Sequence, residues 1–148
     1  MPLWVFSHNK DAFSPDEKEA LAQEITKIYT RIGLPAFYVN VQFFEMPAHD
    51  LYLGGARRSK FTTISIYHVA RRFENELNQQ RFLKKVDSIL NPRLGGKGMD
   101  WEYFIQESSR DLWKINGIVP PPSGSEMEKL WFREDKPVVE GDVKSPRS

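Results

Sequence analysis

The chain has 148 residues, with 21 basic against 20 acidic side chains and no cysteine. That length suffices for one domain with a core that needs no metal or disulfide staple. The balanced charge gives no bulk attraction to nucleic acid or to an acidic membrane, and the lack of cysteine excludes thiol catalysis and thiolate metal sites. His8, His49 and His68 are scattered without a short ligand spacing, so they read as surface or strand residues and no metal or other cofactor is expected. The N-terminus is mixed rather than basic-then-apolar, and no apolar run approaches membrane-spanning length. A soluble cytoplasmic protein is the expectation.

In chain order, Leu3-Trp4-Val5-Phe6 reads as a first strand of branched and aromatic side chains directly after Met1-Pro2. If Met1 is removed, Pro2 carries the only secondary amine in the chain, held by that strand. Ser14-Pro15-Asp16-Glu17 supplies an N-cap serine, a proline at the first helical position and a glutamate placed to close a capping box. Leu21, Ile25, Ile28, Tyr29 and Ile32 then form one apolar stripe that ends at Gly33 and Pro35. From Tyr38 to Glu45 the pattern alternates, with Val39, Val41 and Phe43 on one face and Asn40, Gln42 and Phe44 on the other.

The order repeats. Thr62 to His68 is a β-branched strand, Leu77, Phe82, Val86, Ile89 and Leu90 mark a second amphipathic helix that stops at Asn91-Pro92, and Trp101 to Gln106 supplies the matching strand. Between the halves, Leu51-Tyr52-Leu53 reads as a short strand and Gly54-Gly55 as a turn. A tandem β-α-β repeat follows, an α/β fold with helices on one face of a mixed four-stranded sheet. Phe44, Tyr67 and Phe104 fall on the other face, which predicts either an oligomer or cover by Leu130-Trp131-Phe132. Residues 1–133 form the domain, and 134–148 read as a polar tail, either disordered or an arm on a neighbour.

With these elements placed, the chain resembles the amino-terminal-proline tautomerase superfamily, closest to its cis-3-chloroacrylic acid dehalogenase branch. The matching stretches are Met1-Pro2, Ala22 to Thr26, Val41 to Gly55, Ile66 to Arg72, Trp101 to Phe104 and Asn116 to Pro120. The resemblance implies a homotrimer with the proline at the bottom of a small pocket that takes a small carboxylate. In tautomerases the amine is a general base; in the dehalogenases it is the cationic acid of a hydration. An apolar pocket and nearby cations favour the first role, a nearby carboxylate the second.

Arg71 and Arg72 fall between the third long strand and the second helix, near Asn75 as its N-cap, a good carboxylate receptor. Strand alternation sends the two to opposite faces, and Arg72 matches the family's first carboxylate-binding arginine. Arg57, Arg58 and Lys60 read instead as a solvated loop. By resemblance Tyr103 assists at the reacting carbon, through a phenol able to orient a water or polarise a carbonyl. Tyr29 stands where the dehalogenases have a substrate-binding histidine, and Asn75 where they have a second arginine. No glutamate stands just before Asn116-Gly117 to activate water, and Glu107 or Asp111 substitutes only with a different local loop. Trp113, in a Trp-x-x-Asn-Gly pattern similar to that of several tautomerases, is expected to keep the pocket apolar. The expected activity is tautomerisation of a small 2-oxo, enol or unsaturated acid with Pro2 as base. The alternatives are a hydratase or dehalogenase, with Pro2 as acid, and a non-catalytic carboxylate-binding trimer.

Overall fold

The computed structural model describes residues 1–142. β1 (Leu3–Asn9) alternates strictly, with Trp4, Phe6 and His8 buried and the residues between them half-buried. α1 (Pro15–Thr30) starts as its sequence dictates, the Ser14 hydroxyl accepting the Glu17 N–H at 3.2 Å. Only this half of the capping box forms, because the Glu17 carboxylate pairs with Lys97. Leu21, Ile25 and Tyr29 are buried, whereas Ile32 lies beyond the helix and is exposed. A 3-10 turn, Ala36–Tyr38, leads into β2 (Asn40–Met46). Gly54 and Gly55, both at positive φ, turn the two-residue ribbon of β3 (Tyr52–Leu53) and β4 (Ala56–Arg57).

The second unit is β5 (Phe61–His68), α2 (Glu76–Leu94) and β6 (Asp100–Glu107). α2 does not stop at Asn91-Pro92: it runs through Pro92 to Leu94. A proline this close to the end forfeits one backbone hydrogen bond, and burying Leu94 completely holds the last turn in place. The helix also leaves Leu77 exposed in its first turn, so the apolar stripe begins further along, at Phe82.

The strands order as β2-β1-β5-β6 in one mixed sheet. β1 is parallel to β2, β5 is parallel to β6, and the two β-α-β units meet antiparallel along β1 and β5. Trp4, Phe6, Ile64 and Ile66 from the centre of the sheet are wholly buried together with Leu21, Ile25, Val86 and Leu90 of the helices, each such burial contributing about 1.5–3 kcal/mol. The opposite face keeps Phe44 and Phe104 about half exposed.

α3 (Glu126–Glu134) does not cover that face. Trp131 instead packs beside Phe37 and Tyr38 in the main core. The first part of the tail is also anchored: Phe37 N–H donates to Asp135 at 2.9 Å and the Trp131 indole donates to the Val138 carbonyl at 2.9 Å. The rest of the expected tail, 143–148, lies outside the described residues. No helix among those described is long and apolar enough to cross a membrane.

Candidate functional site

The antiparallel register sets the site. Leu3 pairs with Tyr67, so the start of the first β-α-β unit lies against the end of the second unit's first strand. Pro2 is buried there, its carbonyl accepting Asn40 N–H at 2.9 Å. A cleft of about 470 Å³ opens beside it. Ile28, Tyr29 and Phe82 give it apolar walls, while Arg72, Asn78 and Arg81 bring polar groups from the connection to α2 and from α2 itself.

The wall nearest the core is a hydrogen-bonded chain of three rings. Trp4 Nε1–H donates to the Tyr29 hydroxyl at 2.8 Å, and that hydroxyl lies 2.7 Å from His68 Nε2. Tyr29 and His68 are both buried, and burial pushes the Tyr29 phenol well above its ordinary range. Burial, aided by the charge of the chain-start amine, lowers His68 to about 4, so its imidazole is neutral near pH 7.

A second cluster surrounds the chain start. Arg71 makes a two-pronged pair with Glu128, at 2.7 and 3.1 Å, and also donates to Ser123. Arg110 donates to the carbonyls of Ala70 and Pro121 and lies 5.1 Å from the Trp113 ring. Burial comes first, then the charges of Arg110 and Arg71, in lowering the Met1 amine to about 4, against a weaker opposing pull from Glu128. Burial raises the Glu128 carboxyl, but the Arg71 and Gly124 hydrogen bonds and the two guanidinium charges outweigh it and hold it below the usual carboxylate range.

Pro2, Arg72, Arg71 and Tyr29 all border the cleft. The two arginines differ in commitment: Arg71 is engaged by Glu128, whereas Arg72 forms no ion pair among the described residues. The Tyr29 hydroxyl is already taken up by Trp4 and His68 and is not free to donate to a ligand. Asn75 caps α2, its side-chain oxygen accepting Asn78 N–H at 2.9 Å, and does not reach the cleft. Trp113 packs edge-on against Tyr38 and beside Arg110, and does not line the cleft.

Tyr103 does not join Pro2 within the protomer. It pairs with Ile64, which pairs with Phe6, roughly 13 Å along the strands from the level of Pro2 at about 3.3 Å per residue. Its hydroxyl donates to Asp87 Oδ1 at 2.7 Å on α2, and its ring lines a separate groove with Phe73, Leu83 and Phe104. Neither Glu107 nor Asp111 lines the cleft; Glu107 accepts Phe73 N–H at 3.2 Å, and the carboxylate on the cleft wall among the described residues is Glu74.

His68 and Arg81 are cleft residues that the sequence reading did not assign to the site. His68 continues the buried alternation of Ile64 and Ile66, which places its ring on the helix-covered face. Arg81 stands three residues after Asn78, hence on its side of α2. Both signals were present as spacing. Among the described residues no group of three or more His, Asp or Glu side chains is placed to hold a metal ion.

The family described as "Putative oxalocrotonate tautomerase enzyme" matches residues 1–136. A probable enzyme from the thermophilic fungus Aspergillus fumigatus is 49% identical, with 94% of this chain and 97% of that chain covered and a TM-score of 0.91. Native RhCC from Rhodococcus jostii is 39% identical over 93% of this chain and 99% of that one, with a TM-score of 0.89. A member of the cis-3-chloroacrylic acid dehalogenase family shares the fold at 18% identity, covering 90% of this chain and 97% of that chain with a TM-score of 0.68. Among curated proteins none matches the chain.

Proposed function

The chain belongs to this tautomerase family, and on that footing we propose that, once Met1 is removed, the Pro2 amine acts as general base in the tautomerisation of a small 2-oxo, enol or unsaturated carboxylic acid. The observation that carries the reading is the environment of the chain start. An amine placed there is stripped of water and faces two guanidinium groups, and for Met1 this lowers the pKa to about 4. On this reading the same burial and cations would act on a Pro2 amine freed one residue further in, favouring its unprotonated form near neutral pH. Arg72, at the cleft wall without a carboxylate partner, is the anchor for the substrate carboxylate, with Arg81 and Asn78 beside it. The half-exposed Phe44 and Phe104 supply a face for assembly as a homotrimer.

The hydratase reading, with Pro2 as cationic acid, needs an ammonium form and a base for water. The lowered amine disfavours the first. For the second, Glu107 and Asp111 stand off the cleft wall, which leaves Glu74 as the carboxylate a hydratase would have to use. The non-catalytic reading makes a different forecast from both: carboxylate binding without turnover. Protein lacking Met1 is expected to ketonise small enol acids such as phenylenolpyruvate, and Pro2→Ala to lose most of this. Equal rates for the two proteins at matched assembly would remove Pro2 from the mechanism, and binding without turnover would leave the non-catalytic reading.

A further inference from the structure

The ring chain at the cleft wall fixes which nitrogen of His68 carries the proton. Trp4 Nε1 is only a donor, so it fills one lone pair of the Tyr29 oxygen. The Tyr29 hydroxyl proton must then go somewhere, and the partner within reach is His68 Nε2 at 2.7 Å. Were Nε2 itself protonated, the ring would donate to the phenol oxygen and leave the hydroxyl proton of a buried tyrosine without an acceptor, at a cost of about 1–3 kcal/mol. The neutral ring therefore carries its proton on Nδ1. That nitrogen has no partner among the described residues, and it belongs to a ring that lines the same cleft as Pro2 and Arg72. Phe73 and Phe82 pack the ring at 5.4 and 5.0 Å between centroids and hold its plane.

We propose that His68 is a second catalytic residue, whose Nδ1–H donates to the substrate oxygen on which negative charge develops while Pro2 carries the proton. The proposal rests on the reading of Pro2 as base. Pro2 nitrogen takes the enol proton as the O–H bond breaks, leaving an enolate oxygen in front of Nδ1–H. The enolate electron pair then re-forms the carbonyl, the C=C pair takes the proton back from the ammonium, and a C–H bond forms. His68 keeps its own proton throughout, because replacing it would ionise Tyr29, which burial opposes. A neutral donor suits this task. An imidazolium would compete with Arg72 for the substrate carboxylate, and the depressed value of about 4 keeps it from forming. The charged or titratable groups around the ring are Tyr29 from α1, the chain-start amine before β1, Arg71, Arg72 and Glu74 after β5, and Arg81 from α2.

The side-chain ¹⁵N resonances of His68 in the wild-type protein give a first test that needs no variant. They are expected to show Nδ1 protonated, Nε2 bare, and no titration from mildly acidic to mildly alkaline pH. A ring protonated on Nε2, or charged at neutral pH, would overturn the proposal. Kinetics of phenylenolpyruvate ketonisation on demethionylated variants supplies the second test. His68→Ala is expected to lower kcat by about 10²–10³, the usual cost of removing one oxyanion donor, with KM nearly unchanged. His68→Asn puts an amide N–H near the place of Nδ1, whereas His68→Gln puts one near Nε2, so Asn should retain more activity than Gln. Tyr29→Phe should free Nε2, mix the tautomers, let the ring titrate and lower kcat. If Gln outperforms Asn, or if folded His68→Ala matches wild type, His68 is not the donor. Loss of activity in Pro2→Ala under either of those results would leave the Pro2 reading standing, while an active Pro2→Ala would remove the reading on which this proposal rests.

Discussion

A buried neutral histidine ties stability to pH in a calculable way. His68 titrates at 6.5 in an unfolded chain and at about 4 in the fold, so between those values the unfolded state takes up a proton that the folded state refuses. The stabilisation is complete above pH 6.5, is lost as pH falls toward about 4, and levels off below. At about 1.4 kcal/mol per pH unit, that interval amounts to about 3 kcal/mol, a large part of an ordinary domain's stability. The chain-start amine loses stability in the same direction over a wider window, from 8.0 to about 4, so a wild-type curve alone does not isolate the ring. Urea unfolding of wild type and His68→Gln, across this range at one fixed protein concentration, gives the difference. The amine's contribution then cancels to first order, and fixed concentration removes the effect of assembly. The expected result is a gap that shrinks by about 3 kcal/mol from neutral pH to pH 4. Parallel curves would mean that His68 takes up its proton as readily in the fold as in the unfolded chain, which the ring chain with Trp4 and Tyr29 does not allow.

Arg72→Ala is expected to raise KM for carboxylate substrates by about ten-fold to over a hundred-fold, since a charge-assisted bond to an anion is worth about 1.5–3 kcal/mol. Arg71→Ala should act mainly on stability, by stranding Glu128, whose side chain is 3% exposed; a larger KM effect from Arg71 in steady-state kinetics would reverse the roles assigned to the two arginines. Light scattering should show a trimer, with Phe44→Glu lowering both trimer content and activity. A compact monomer with full activity would show that the cleft is complete within one chain.

Most of the fold was legible because its signals are local and agree with one another. Strand alternation, the Ser14 cap and the Gly54-Gly55 turn each specify their element without help from the rest of the chain. Pro92 misled because its cost falls on one bond in a last turn that the burial of Leu94 secures, a long-range fact. The destination of Trp131 was hidden for the same reason, since two aromatic surfaces offered it cover and only packing chose between them. Pro2 and Arg72, which border the cleft, were reached through motif and resemblance. Asn75 and Tyr103 followed the resemblance away from the cleft, where local hydrogen bonds to Asn78 and Asp87 hold them. His68 was visible as alternation, but a histidine on a strand announces no chemistry until its neighbours in space, Trp4 and Tyr29, are known.

The central claim is that the amine at the chain start is a base. The most direct measurement is the pH titration of the Pro2 ¹⁵N resonance in protein from which Met1 has been removed, as confirmed by intact mass, alongside the pH dependence of kcat/KM. Titration well below the ordinary α-amine value of about 7.7–8.0, with the acid limb of kcat/KM falling at the same pH, is the expected result. An amine titrating at or above that value, with activity carried by its ammonium form, would contradict the account and return the site to hydration chemistry.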